Sequence, residues 1–533
     1  MIADPIREGL AAGWKVVDAA AADRDFAIEA DVVVVGSGAG GGVTAEILAL
    51  AGLSVVILEE GPLRSSSDFR MREREAYPQL YQESAGRQTK DKAVTIFQGR
   101  NVGGSTTVNW TSSFRTPPRT LDHWRRSHGL ASVGEADLAP WFERMEERLS
   151  IAPWPVAPNE NNDILRRGCE TLGLPTGAIR RNVKGCRNLG YCGMGCPTNA
   201  KQSMLVTTIP SALAHGATLL HRARLDRLVI SGDRITHAVA TGVAGSGALP
   251  GARVIRLVAR HFVLASGAIG SPAILLRSGA PDPHDLAGRR TFLHPTVVSA
   301  AAMPWEVKGF DGAPQTIYSD HFLDAAPIDG PVGYKLEAPP LHPILAGITM
   351  PGYGNAHGRW MREFANLQVV IALLRDGFHP DSSGGRVQLR ADGSPVLDYP
   401  IGGILWEAMR RAYLTMAEIQ FAAGAKTVLA LHEDGVPMSS WAQAKASIAS
   451  LPMAALRARV VSAHVMGGCA MGPDASRAVV DERGRHHHVK NLSVHDGSIF
   501  PTSIGANPQL SIYAFAARLS AGLASDLAGA RSA

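Results

Sequence analysis

The chain of 533 residues carries 53 Lys and Arg against 48 Asp and Glu, a net charge of +5, with 45% hydrophobic and 19% charged residues. A chain this apolar builds large cores, which excludes a disordered or solvating polymer, and its scattered cations form no tract of the kind that grips nucleic acid. Five cysteines are too few for a disulfide framework.

In chain order, residues 1–30 read as a short amphipathic helix, with Ile6, Leu10, Trp14 and Val17 on one side, and a linker. This start lacks an apolar signal core. The one stretch long enough to span a membrane, Val32 to Leu58, is interrupted by six glycines between Gly36 and Gly52 and by Glu46. The expectation is a cytoplasmic protein with no transmembrane segment.

Asp31-Val-Val-Val-Val predicts a buried strand, followed by a glycine turn, a helix over about 42–51 and a second strand at 54–58. Residues 64–95 are polar, and 185–200 form a Gly/Cys/Pro-rich loop. Alternation over 218–265 predicts about three strands, and 385–400 reads as a hairpin around Asp392-Gly393. Helices are expected over about 403–423, 439–449 and 509–527.

Gly36-Ser37-Gly38-Ala39-Gly40-Gly41 fits G-x-G-x-x-G, placed between a strand and a helix, with Glu59 ending the next strand 18 residues past Gly41. This is the pattern of a dinucleotide site. Gly36 permits the tight turn, Gly38 admits the pyrophosphate, Gly41 lets helix and strand pack closely, and Glu59 accepts from a ribose hydroxyl. The spacing alone does not separate NAD from FAD. A second cradle, Gly99-Arg100-Asn-Val-Gly103-Gly104-Ser105-Thr-Thr-Val-Asn109, suits a longer flavin dinucleotide.

With these motifs the chain resembles the glucose–methanol–choline (GMC) flavoprotein oxidoreductases, from Val32 to the last helix. Gly99 to Asn109 is similar to the family's first signature. Gly267 to Gly279 is similar to the second, except that Ala280-Pro281 replaces an aliphatic-glycine pair. Asn491 to Thr502 and Gly505 to Ser511 resemble its flavin-closing segment. The resemblance implies an α/β fold: a Rossmann-like FAD-binding lobe and a substrate lobe with an antiparallel sheet and helices.

It also implies a division of the chain. Residues 1–30 are the N-terminal helix and linker, and 31–150 the first part of the FAD lobe. Residues 151–216 are a cysteine loop and substrate-side cover, 217–297 the second part of the FAD lobe, 298–455 the substrate lobe, and 456–533 the C-terminal part with the catalytic residues. The implied cofactor contacts are Gly36, Ser37, Gly38, Ala39, Gly41, Glu59, Arg100, Gly103, Gly104, Ser105, Asn109, Asp496 and Gly497, with Asn507 and Pro508 backing the flavin ring. Val108 stands where some relatives carry a histidine bonded to the flavin. Valine has no nucleophilic atom, so the expectation is non-covalent FAD.

Ser462-Ala-His464-Val-Met-Gly-Gly-Cys469 matches the family motif whose histidine is catalytic, and by the resemblance the partner position falls on Asn507 rather than on His495, twelve residues earlier. Imidazole accepts a hydroxyl proton at neutral pH, and an amide orients the substrate oxygen. His294-Pro295 reads as structural, and the run His486 to His488 as a solvated turn. Cys186, Cys192 and Cys196 are spaced so that they could hold an iron–sulfur cluster or zinc; the alternative is a metal-free covering loop with reduced thiols.

The segment Lys335 to Ala346 is similar to the long-chain fatty alcohol oxidase branch. With apolar Ile348, Met350, Leu367, Val369, Val370, Ile371 and Leu373 around it, the expected substrate is a hydrophobic primary alcohol, unless these residues are sheet core. The electron acceptor, O2, a quinone or a redox protein, stays open. So do three other readings: a polar-alcohol dehydrogenase with a cluster at the cysteine loop, a lyase on the same fold (a hydroxynitrile lyase or fatty acid photodecarboxylase), and a non-catalytic FAD-binding protein.

Overall fold

A computed structural model describes residues 2–244 and 249–532. Four valines, Val32 to Val35, are wholly or almost wholly buried in the strand Phe26–Val35, the middle of an eight-stranded sheet. On one side lie Val55–Leu58, Thr218–His221 and Lys15–Asp18, all parallel. On the other, Leu249–Leu264 runs parallel to it and carries an antiparallel extension, Arg234–Ala244 and Ala223–Ser231. Leu492–Val494 adds to the end of Leu249–Leu264, so this sheet is assembled from distant stretches of chain.

The N-terminal segment differs from expectation. Its helix covers only Pro5–Ala11, and Val17 lies in the edge strand Lys15–Asp18. Over so short a window the helical and extended periods fit equally well, and pairing with Thr218–His221 decides the outcome. Residues 218–264 form four strands rather than three. Asp392-Gly393 turns a hairpin between Gly385–Leu389 and Pro395–Asp398.

A second eight-stranded sheet is antiparallel except for one pair. Its order runs Val94–Ile96, Val460–Ser462, Thr296–Ala302, Leu367–Leu374, Tyr334–Glu337, Ile317–Ser319 and Gly177–Ala178, with Thr427–Ala430 beside Thr296–Ala302. One face packs Val370, Ala372, Leu374 and Leu336 against the helix Gly403–Ala422. The fold is mixed α/β, with a nucleotide-type sheet and an antiparallel sheet carrying helices.

Candidate functional site

The glycine turn leads from Val35 into the helix Ala39–Leu50. Gly36 sits at φ +103°, in the region that favours glycine. Gly38 caps the helix without a side-chain acceptor, so the first-turn N–H groups are left for an anion. A Cβ on Gly41 would lie 1.9 Å from Gly36 O. At Gly40 a Cβ would lie 1.6 Å from His495 O and 3.2 Å from Asp496 Cα. Sequence reading passed over Gly40, because the motif leaves that position free.

The second cradle meets the first back to back. A Cβ on Gly104, at φ +54°, would approach Gly38 Cα to 2.8 Å. Ser37 Oγ donates to Glu59 Oε2 at 2.5 Å and accepts from Gly103 N–H at 3.0 Å. Glu59 also accepts from the N–H groups of Ser37 and Gly61. Burial raises its carboxyl above the ordinary range, and these bonds pull it back.

Arg100 is buried and donates to Glu60 Oε1 at 3.0 Å. Ser105 Oγ accepts from Gly99 N–H, and Asn109 donates to Gln509. Asp496 accepts from Gly267 N–H at 2.9 Å and Ser271 Oγ at 2.5 Å, tying the C-terminal segment to the second motif. Gly497 opens the short turn Gly497–Ile499, and Pro508 O accepts from Ile512 N–H. Bare helix-end amides and two glycine loops in contact fit a dinucleotide.

Beside this cradle stands a polar cluster. His464 is half-buried, and its Nδ1 is 3.1 Å from Nδ1 of His294. Burial first, and the Lys335 cation second, hold His464 down at about 4. Asn507 Nδ2 donates to Glu337 Oε2 at 3.2 Å, while Asn507 Oδ1 and Glu337 Oε1 are buried without partners. Burial pushes Glu337 up and pulls Lys335 down, each charge being offset by the other. Lys335 Nζ lies 3.2 Å from the Phe114 ring centre and 3.9 Å from that of Tyr318. The Lys335 cation acts electrostatically on both His464 and Glu337.

Alternation sorts the apolar residues of this sheet. Lys335 and Glu337 register with Leu373 and Ile371, so they share a face with them and with Val369 and Val298. That face forms an apolar cluster with Leu341, Ala346 and Met350, under the helices Pro343–Thr349 and Gly354–Arg362. Val370 points the other way, into core. Ile348 is 58% exposed on the outside.

His495 lies elsewhere, with Nδ1 3.1 Å from Thr44 Oγ1 and 3.3 Å from Ser520 Oγ. The histidine run is not a solvated turn. His486 is buried, and His487 Nε2 sits 3.0 Å from Gly472 O. Cys186, Cys192 and Cys196 are free thiols, and among the described residues no group of three His, Cys, Asp or Glu is arranged to hold a metal ion. Their loop is fastened to the second cradle by buried Lys201, whose ammonium donates to Thr107 O, Asn109 O and Cys192 O at 2.7–2.8 Å. Burial lowers this lysine to about 8. Among the described residues no helix is long and apolar enough to cross a membrane.

His294, Lys335, Glu337 and Lys201 went unread as site residues. Lys335 and Glu337 left one signal: two opposite charges at i and i+2 in an otherwise apolar strand.

Known proteins agree with this geometry. Residues 77–296 and 380–516 match the N- and C-terminal family profiles of the GMC oxidoreductases. A long-chain-alcohol oxidase of Arabidopsis thaliana is 28% identical, the match covering 93% of this chain and 68% of the relative. An uncharacterized GMC-type oxidoreductase of Mycobacterium tuberculosis is 32% identical over 93% of this chain and 76% of its own length. Among solved structures, a pyridoxine 4-oxidase from Mesorbium loti superposes with a TM-score of 0.68 at 19% identity, covering 92% of this chain and 98% of that one. A formate oxidase of Aspergillus oryzae gives 0.68 at 16% identity, covering 95% of this chain and 100% of that one. Two family profiles over most of the length, on a fold with two meeting glycine cradles, leave one conclusion: the chain belongs to the GMC oxidoreductase family, and it is an FAD oxidoreductase.

Proposed function

We propose that the chain oxidises a hydrophobic primary alcohol to its aldehyde, with His464 as general base and Asn507 orienting the hydroxyl. The observation that carries this reading is the buried Asn507 amide, its Oδ1 unclaimed, bonded to Glu337 on the sheet face that carries Ile371 and Leu373, with the His464 imidazole within reach of the Lys335 charge on that face. When bound, FAD supplies the hydride acceptor. His464 takes the hydroxyl proton as the carbinol C–H breaks, and the second N–H of Asn507 donates to the same oxygen. Glu337 holds the first N–H of that amide. Apart from Lys335 and Glu337, this face presents the apolar Val298, Val369, Ile371 and Leu373, which favours an aliphatic or aryl chain over a sugar. The Arabidopsis relative, by name a long-chain-alcohol oxidase, supports the same substrate class. Buried Val108 offers nothing to bond to the flavin, so FAD is held without a covalent link.

The test is anaerobic addition of 1-octanol to the purified yellow holoenzyme. Bleaching of the flavin band is the expected result, and acid precipitation should then release the flavin into the supernatant. Recovery on admitting air identifies O2 as an acceptor; recovery only with a quinone identifies a dehydrogenase. Absence of bleaching, together with alkane released from a fatty acid under blue light or cyanide from a cyanohydrin, would move the chain to the lyases.

The pH dependence has a definite sign. Because burial holds His464 below the ordinary 6.5, the base stays free as pH falls through that value and is lost only near about 4. The stopped-flow rate of flavin reduction should be flat from about pH 8 to about pH 5.5. An acid limb centred near the ordinary imidazole value would contradict a base held down by its surroundings.

A further inference from the structure

His294, which reads from the sequence as structural, brings its ring against that of His464. Two neutral imidazoles meeting Nδ1 to Nδ1 at 3.1 Å share one proton between those atoms, so each ring fixes the tautomer of the other. In one arrangement His464 Nδ1–H donates to His294 Nδ1, and the lone pair of His464 Nε2 is free. In the other, His464 Nε2 carries the proton and cannot act as a base.

The chain spends several bonds on holding this contact. His294 sits at φ +51°, the left-handed region. The buried Asp376 carboxylate fixes it there by accepting from the N–H groups of Leu293 at 3.0 Å and His294 at 3.1 Å, and from Tyr399 Oη at 2.6 Å. Ser462 Oγ donates to Leu293 O and accepts from His464 N–H, joining the two histidine backbones through one hydroxyl. Ser503 Oγ donates to Asp376 O at 2.7 Å, extending the frame towards Asn507.

We infer that His294 is a positioning residue, whose Nδ1 accepts from His464 Nδ1–H and so presents His464 Nε2 as the free base to the substrate hydroxyl. The inference rests on the proposed role of His464. When Nε2 takes the hydroxyl proton, Nδ1–H is already engaged, and the new positive charge is shared across an N–H···N bond. No bond other than Nε2–H forms in His464, and its Nδ1 proton stays in place. His294 itself is neutral at neutral pH: burial, then His464, Lys335 and Arg375, hold it well below its ordinary range. Its remaining proton sits on Nε2, a buried atom without a protein partner.

Two substitutions separate this role from a backbone role. Asparagine tolerates positive φ and can offer Oδ1 where His294 offers Nδ1; glycine tolerates positive φ and offers nothing. Holoenzyme labelled with 15N-histidine, with His464→Gln to assign the signal, reports the tautomer without any turnover. The expected spectrum shows His464 protonated at Nδ1 in the wild type and in His294→Asn, and a loss of that tautomer in His294→Gly. The rate of flavin reduction should stay within about tenfold of wild type in His294→Asn and fall about 10²-fold in His294→Gly.

A wild-type His464 protonated at Nε2 overturns the inference without recourse to any variant. So does a His294→Gly holoenzyme that keeps both tautomer and rate. If 1-octanol fails to bleach the wild type while the Nδ1–H signal is present, the substrate reading fails and the histidine arrangement stands.

Discussion

Replacing His464 by alanine is expected to lower the rate of flavin reduction by a primary alcohol by about 10²-fold or more, with FAD retained. Retention follows from where the residue sits. The cradle is built from Gly36–Ala39, Gly103–Ser105 and His495–Gly497, none of which depends on the His464 side chain. The loss of rate follows from the lack of a substitute. His294 meets His464 on the Nδ1 side, its ring centre 5.2 Å from that of His464 and away from the hydroxyl that Nε2 is proposed to meet; Lys335 is a cation, and Asn507 accepts no proton at neutral pH. The Glu337 carboxylate is held by Asn507 and offset by Lys335. Stopped-flow reduction of the His464→Ala and His464→Gln holoenzymes measures the effect. Near-normal reduction in both, with the flavin spectrum unchanged, would remove His464 from the chemistry.

Gly40→Val is the second large change, and it acts on the cofactor rather than on the proton. A Cβ at this position would overlap His495 O at 1.6 Å, a backbone atom that cannot swing aside. Either the helix Ala39–Leu50 lifts off the C-terminal segment or that segment moves, and both displace the helix-end amides from the diphosphate site. FAD affinity should fall at least about a hundredfold, or about 2.7 kcal/mol. Gly347→Ala is the matched control, since a Cβ there meets nothing within 4 Å. Fluorescence titration of the apoprotein with FAD gives the affinity, and circular dichroism separates lost binding from lost fold. Wild-type affinity in Gly40→Val would mean that the close approach of Gly40 to His495 is not needed.

The nucleotide strand, turn and helix were legible because every signal is local: four consecutive valines, closely spaced glycines and a carboxylate at the next strand end. His464 and Asn507 were legible only through their motifs. Nothing in the residues around His294 announces that it meets His464, 170 positions away. That contact comes from pairing between Thr296–Ala302 and Val460–Ser462, which sets their ends side by side. The apolar stretch Leu367–Leu374 was ambiguous for a physical reason. A strand buried on both faces shows no alternation in hydrophobicity, although its faces do different work: Val370 fills core, and Ile371 lies on the face that carries Glu337. The histidine run was misread because burial of His486 comes from tertiary packing, which a polar sequence context hides.

The helix Ala39–Leu50 has its partner at the far end of the chain. Thr44 and Ser520 hydrogen-bond at 3.0 Å, His495 reaches both, and Leu492–Val494 completes the central sheet. A ribosome delivers the glycine turn first and the segment that closes it roughly 455 residues later. Until then the buried valines of Phe26–Val35 lack part of their cover, and the turn has no wall to hold a nucleotide against. Cofactor capture therefore waits until that C-terminal segment has been made and has packed against the turn.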